Sequence, residues 1–193
     1  VVDSYAAALQ RKPVTGLRHS LIHANIPSGH ALDVIAAMQR EYDAVIPEPS
    51  PSFTWWFGAT YAANFGPERS LRLNPFATFG KRGIRWASGS DYFVTPFPAR
   101  YGIWAAVARE PLLNPEGDDP FGRAEAVDAR AALRSFTINA AHQMFMDDLT
   151  GSLEPGKRAD IAVWDRDFYQ APTADLKDAS CHMTIFDGDV VHR

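Results

Sequence analysis

Asp91 closes the run Gly83-Ile84-Arg85-Trp86-Ala87-Ser88-Gly89-Ser90-Asp91. A short apolar segment that ends in a carboxylate delivers it to the rim of a sheet, where it can act as acid, base or ligand. Ile84, Trp86 and Ala87 favour an extended, buried stretch, and Gly89-Ser90 frees the backbone where that stretch emerges. The same residues permit a second reading, in which Asp91 caps the turn or helix starting at Tyr92-Phe93-Val94-Thr95-Pro96. His23 ends another candidate strand, Leu17 to Ala24. By chemistry alone, a lone strand histidine is more often a satisfied core residue than a ligand.

The elements that must position these two side chains follow from periodicity. Val2, Tyr5, Ala6 and Leu9 recur at helical spacing with no cap before them, so the chain is expected to start inside an element, as a segment of a longer protein would. After the first strand, Ser28 is suited to cap a helix whose apolar face runs through Leu32, Ile35, Ala36 and Met38 to Arg40. Tyr42-Asp43-Ala44-Val45-Ile46 reads as a second strand, ended by the turn Pro47-Glu48-Pro49-Ser50-Pro51. Phe53 to Phe65 reads as an aromatic helix, and Pro67 suits the first turn of a further helix running toward Phe79. The Asp91 strand comes next, then a helix from Phe97 to Arg109 and a polar loop from Pro111 to Gly122. Asp128 can cap a long helix from Ala129 to about Phe145 that buries Leu133, Phe136, Ala140 and Met144. This alternation predicts an α/β fold with parallel strands. From Gly151 the texture changes to a smaller β module, in which Met183-Thr184-Ile185-Phe186 and Val190-Val191 flank Asp187-Gly188, a type I′ hairpin signal.

Composition narrows the partners. The 193 residues carry a formal net charge of −4 with no basic stripe, which argues against nucleic acid or an anionic membrane and for a small-molecule partner. The single cysteine, Cys181, excludes an internal disulfide framework and fits a reducing, cytoplasmic setting. The longest apolar run, Gly102 to Ala108, falls far short of the roughly 20 residues that span a bilayer.

Four segments, in this order, resemble the metal-dependent amidohydrolases, most closely the amidohydrolase family 3 group that includes N-substituted formamide deformylase-like enzymes. Arg18-His19-Ser20-Leu21-Ile22-His23-Ala24 resembles the family's fifth barrel strand, which ends in a metal-binding histidine. Gly89-Ser90-Asp91 resembles the eighth, which ends in the catalytic aspartate. Ala132-Leu133 through Thr137-Ile138-Asn139-Ala140-Ala141 is similar to the helix after the barrel. Gly151-Ser152-Leu153-Glu154-Pro155-Gly156-Lys157-Arg158-Ala159-Asp160 is similar to the return into the small β domain, and is the most specific of the four.

The resemblance implies the second half of a (β/α)8 TIM-type barrel, strands five to eight, over residues 1–149, and the closing strands of a composite β-sandwich over residues 150–193. It implies a hydrolase of non-peptide carbon-nitrogen bonds, of amide or formamide type, in which His23 and Asp91 bind a divalent metal, zinc being expected, and Asp91 also moves the proton. The family's first-strand His-x-His pair and fourth-strand ligand have no counterpart here, so activity is expected only with the missing N-terminal half. The alternative is a catalytically silent barrel fragment serving as a binding or scaffold module. A half barrel also leaves edges and apolar faces to be covered by that half or by a second copy. Tyr92 and Phe93, beside Asp91, are expected to wall the substrate pocket. Trp55 and Trp56 either join them there or pack beneath the loop.

Position separates the other ligand candidates. His19 lies on His23's face but roughly 13 Å deeper, which makes it structural. His30 either faces the pocket or sits at the surface of a helix start. His142, His182 and His192 read as surface or packing residues. Many family members carry another metal-binding histidine after the sixth strand, whereas the corresponding stretch, Ile46 to Phe53, has none. Glu48 there is either an oxygen ligand or an exposed turn residue.

Overall fold

The computed structural model describes residues 1–113 and 121–193, so residues 114–120 of the expected Pro111–Gly122 loop lie outside the described part. Helix α1 (Val2–Arg11) leads into β1 (Ser20–Ile22), α2 (Gly29–Tyr42) and β2 (Ile46–Glu48). Ser28 caps α2 as expected, its hydroxyl accepting from the Ala31 amide at 3.1 Å. The second strand starts later than the apolar run suggested. Tyr42 is buried as the last residue of α2, and Asp43 turns the chain in the left-handed conformation at φ 49°, so extension begins only at Ile46. β1 and β2 are parallel, with Ser20 opposite Ile46 and Ile22 opposite Glu48.

α3 (Ser52–Phe65), α4 (Pro67–Ser70) and α5 (Phe76–Lys81) then lead to the extended run of residues 84–91. This run forms no regular ladder, and Pro47 explains why. The Ala87 amide donates to the Pro47 carbonyl at 3.1 Å, the bond expected of a parallel neighbour of β2. The return bond would come from the Pro47 amide, which has no hydrogen, to the Arg85 carbonyl. Gln39 of α2 takes over: its Nε2 donates to the Arg85 carbonyl at 2.8 Å and its Oε1 accepts from the Arg85 amide at 2.8 Å. Trp86 stacks on Phe76 at 4.3 Å, and the Ser88 amide donates to the Ser135 carbonyl at 3.0 Å. Residues 20–22, 46–48 and 84–91 thus occupy three adjacent strand positions, each followed by helix. Among the described residues no fourth strand lies between β2 and Asp91.

α6 (Ala99–Ala108) follows the Asp91 segment. Asp128 caps α7 (Ala129–Phe136), accepting from the Ala131 amide at 2.7 Å. The expected long helix breaks at Thr137 and resumes as α8 (Ile138–Gln143). The Thr137 hydroxyl donates to the Leu133 carbonyl at 2.8 Å, the acceptor its own amide would use, and that amide moves to the Arg134 carbonyl. The break rotates the buried face, so Ala132, Ser135, Ala141 and His142 are buried while Met144, expected inside, is exposed.

The C-terminal strands β3 (Ile161–Trp164), β4 (Cys181–Phe186) and β5 (Asp189–His192) form an antiparallel sheet in that order. Asp187 and Gly188 both take positive φ at the β4–β5 turn, 50° and 93°, as the Asp-Gly signal requires. One cluster of buried residues unites α2 (Leu32, Ile35), α5 (Phe76, Phe79), α6 (Ile103, Trp104) and, from the C-terminal region, Phe168, Leu176 and Ala179. Buried residues from before and after position 150 thus share one cluster. Apolar side chains remain uncovered on β1, where Ile22 is 62% exposed, and on the small sheet at Phe186 and Val191. Among the described residues no helix is long and apolar enough to cross a membrane.

Candidate metal centre and active site

His23 and Asp91 each follow the last residues of an extended segment and each adopts the left-handed conformation, at φ 56° and 53°. For a non-glycine residue this costs on the order of 1 kcal/mol or more, so the surrounding structure must hold it. At His23 the amide donates to the Glu48 carbonyl at 3.1 Å, extending the β1–β2 ladder one residue into the turn. The imidazole lies nearly parallel to the Phe53 ring, 5.5 Å away. At Asp91 the backbone carbonyl accepts from the Val94 amide at 2.7 Å. The side-chain capping bond there belongs to Ser90, whose hydroxyl accepts from the Tyr92 amide at 3.2 Å. The Asp91 carboxylate instead faces His23, with Oδ2 3.8 Å from Nε2.

That separation is too long for a hydrogen bond. It is shorter than two zinc–ligand bonds of about 2.0–2.2 Å placed end to end, so an imidazole nitrogen and a carboxylate oxygen in this arrangement fit one divalent ion between them. Both side chains are open to solvent, at 47% and 36% exposure. Among the described residues no group of three or more His, Cys, Asp and Glu side chains is placed to hold a metal. The pair supplies two donors, and a protein site of three ligands needs at least one more.

Glu48 is not the exposed turn residue that its Pro-rich neighbourhood suggests. It lies half-buried at the end of β2, where Gln143 of α8 donates to its Oε2 at 2.8 Å and also bonds Ser20. Gly89 makes room for it, since a Cβ there would stand 3.3 Å from Glu48 Oε1.

The aromatic candidates separate into two groups. Tyr92 and Phe93 are exposed beside Asp91, Phe93 at 87%, and Tyr92 meets Phe97 edge-on at 5.4 Å. Trp55 is drawn to α6, against Tyr101 at 5.3 Å and Trp104 at 5.7 Å, and Trp56 packs edge-on against Trp55. The ring brought to His23 from this cluster is that of Phe53. Its position at the first turn of α3, directly after the strand loop, is the signal that could have singled it out.

Three other histidines make contacts away from the His23–Asp91 pair, while His182 and His192 are exposed. His19 lies against Tyr5 at 5.0 Å, and His30 meets Asp3 at 2.7 Å on the surface. His142, read from sequence as a surface or packing residue, is buried at the centre of an ionic cluster. Its Nδ1 lies 2.8 Å from Asp147 and its Nε2 2.9 Å from Asp43, while Arg18 bonds both carboxylates and the His142 carbonyl. Arg18 and Asp43 precede β1 and β2, so this cluster sits at the opposite ends of the strands from His23. Burial alone would raise the Asp147 pKa, but hydrogen bonds from His142 and Arg18 outweigh it and hold the carboxyl at about 2. The partners come from sites 124 and 129 residues apart in sequence, and no local pattern announces them.

A family model described as the amidohydrolase family matches residues 1–192. The chain belongs to that family. This amidohydrolase chain is 32% identical over 145 residues to N-substituted formamide deformylase of Arthrobacter pascens, a match covering 75% of the chain and 26% of the relative. Its fold is similar to that of an uncharacterized metal-dependent hydrolase from Pyrococcus horikoshii OT3, with a TM-score of 0.68 and 21% identity over 90% of the chain and 33% of that structure. It is also similar to an adenosine deaminase from Xanthomonas campestris with bound zinc, with a TM-score of 0.59 and 19% identity, covering the whole chain and 42% of the deaminase. The chain thus spans between about a quarter and two fifths of the length of these three proteins.

Proposed function

We propose that this amidohydrolase chain carries part of the active site of a metal-dependent hydrolase of carbon-nitrogen bonds other than peptide bonds, amide or formamide in type. The observation that carries the reading is the His23–Asp91 pair, two left-handed strand-end residues facing each other at 3.8 Å. Formamide deformylase activity in one relative and bound zinc in one fold neighbour support the reaction class and the metal.

His23 Nε2 and Asp91 Oδ2 are the donors that would hold the ion, and zinc suits such a nitrogen–oxygen pair. When bound, the ion supplies Lewis acidity, lowering the pKa of water to about 7 and polarising a carbonyl. Asp91 accepts a proton from the attacking water and returns it to the leaving nitrogen. The apolar rings of Tyr92 and Phe93 border the space where the substrate would lie.

If Asp91 ends the eighth strand of a (β/α)8 barrel, the three adjacent strand positions number β2 as the seventh and β1 as the sixth. The expected span of strands five to eight contracts by one. His23 is then the sixth-strand histidine, and the histidine-free stretch from Ile46 to Phe53 belongs to the seventh strand. The remaining ligands come from the other strands of the barrel, and the uncovered Ile22 face of β1 is the surface they would close.

Metal analysis of the intact protein tests this. At least one equivalent of zinc or another divalent ion is expected, falling at least tenfold in His23→Ala. A metal-free protein, unchanged by that substitution, would support a catalytically silent scaffold instead.

A further inference from the structure

We infer that Arg109, Asn74 and Asn25 form a buried brace that fixes the direction of His23, which makes them positioning residues for the proposed metal centre; the inference rests on the role given to His23 above. Arg109 ends α6 in the left-handed conformation, φ 56°, and turns its fully buried guanidinium inward. Its Nε donates to the Phe121 carbonyl at 2.9 Å, and its terminal nitrogens to the Asn74 carbonyl at 3.0 Å and the Leu73 carbonyl at 2.7 Å. Burial lowers its pKa to about 10, so it remains a cation at neutral pH. A charge so placed stays inside only while those carbonyls meet it, which gives the loop carrying Leu73 and Asn74 one position.

Asn74 passes that position on. It is fully buried and left-handed at φ 51°, a conformation asparagine tolerates better than most residues. Its amide donates to the Asn25 carbonyl at 2.7 Å, and its Nδ2 to the Ser50 carbonyl at 2.9 Å and the Thr54 hydroxyl at 3.1 Å. Ser50 lies in the loop after β2, and Thr54 is one residue beyond Phe53, whose ring stacks on the His23 imidazole. Asn25, also buried, donates its amide to the His23 carbonyl at 2.7 Å and its Nδ2 to the Tyr61 hydroxyl at 3.2 Å. These bonds tie the turn after β1 to the loop after β2 and to α3, while the His23 side chain itself stays 47% exposed. Such outer partners commonly set ligand affinity by 10- to 100-fold.

The experiment compares Asn74→Asp and the milder Tyr61→Phe with Thr78→Ala in the intact protein. Asn74→Asp keeps the shape and removes both side-chain donors. Thr78→Ala removes a hydroxyl bond to Glu125 at 2.6 Å but keeps the Thr78 amide bond to the same carboxylate, whose charge therefore stays beside Arg109. The first readout is the carbon–proton NMR spectrum of the His23 ring in metal-free protein. Shifted or doubled His23 signals are expected in Asn74→Asp and Tyr61→Phe and unchanged ones in Thr78→Ala. The second is zinc affinity by chelator competition, with a loss of about tenfold or more expected for Asn74→Asp. Unchanged His23 signals in both brace variants would overturn the inference, as would an equal change in Thr78→Ala. A wild-type protein that binds no zinc would remove the metal reading and leave the NMR result to decide the brace.

Discussion

His23 Nε2 and Asp91 Oδ2 approach to 3.8 Å although their segments are two strand positions apart, with β2 between them. Neighbouring strands lie about 4.8 Å apart, so the two backbones are separated by roughly 9.6 Å and the side chains must lean together to meet. Both residues do so from left-handed turns. If Asp91 moves the proton, Asp91→Asn lowers kcat by at least about 100-fold in the intact enzyme. Because the carboxylate is partly exposed and its neighbour Ser90 makes the local turn bond, stability should move by no more than about 0.5 kcal/mol. Wild-type turnover in that variant would end the assignment.

Gln39 supplies the donor that Pro47 lacks and thereby pins the start of the Asp91 segment. Gln39→Leu should cost about 0.5–1.5 kcal/mol in chemical denaturation, the net worth of hydrogen bonds whose groups water can reach. Hydrogen exchange at Arg85 should accelerate at the same time, and an unchanged exchange rate would argue that other contacts hold the segment.

Asp147 gives the fold an acid limit. Its pKa falls from 3.8 to about 2 on folding, so the folded state binds its proton less tightly than the unfolded chain does. The resulting stability is fully present above about pH 4 and is lost as pH falls through about 2. Allowing for its partial exposure, Asp147→Asn should cost about 1–2 kcal/mol at pH 7. The gap between wild type and variant should narrow steadily in urea melts taken from pH 4 down to pH 2. A gap independent of pH would assign the cost to lost shape and not to charge.

Trp55 and Phe93 should respond oppositely to truncation. Trp55→Ala opens the contact with Trp104 and Tyr101 and should destabilise by about 2 kcal/mol or more. Phe93→Ala removes an exposed ring and should leave the melting temperature in place while raising KM for substrates with an apolar substituent. A Trp55→Ala enzyme with normal stability and a raised KM would return Trp55 to the pocket.

Most local features were legible because they depend on neighbours in sequence. Ser28 and Asp128 cap their helices as their residue types suggest, and Asp187-Gly188 makes the turn that positive φ demands. The break at Thr137 was not legible, since periodicity continues through it and the cause is a hydroxyl competing for a carbonyl. Nor was the irregular Asp91 segment, whose missing ladder bond traces to a proline on another strand.

The sequence by itself determined the alternation of strands and helices, the family, and the two residues at the strand ends, because periodicity, turn chemistry and short motifs are local. Only the tertiary structure decided that His23 and Asp91 converge, that Phe53 stands beside His23, that Arg109 is a buried cation, and that His142 lies buried between Asp43 and Asp147. Those relationships join residues tens to more than a hundred positions apart, and their energies depend on burial and on which carbonyl or carboxylate the folded chain brings within reach.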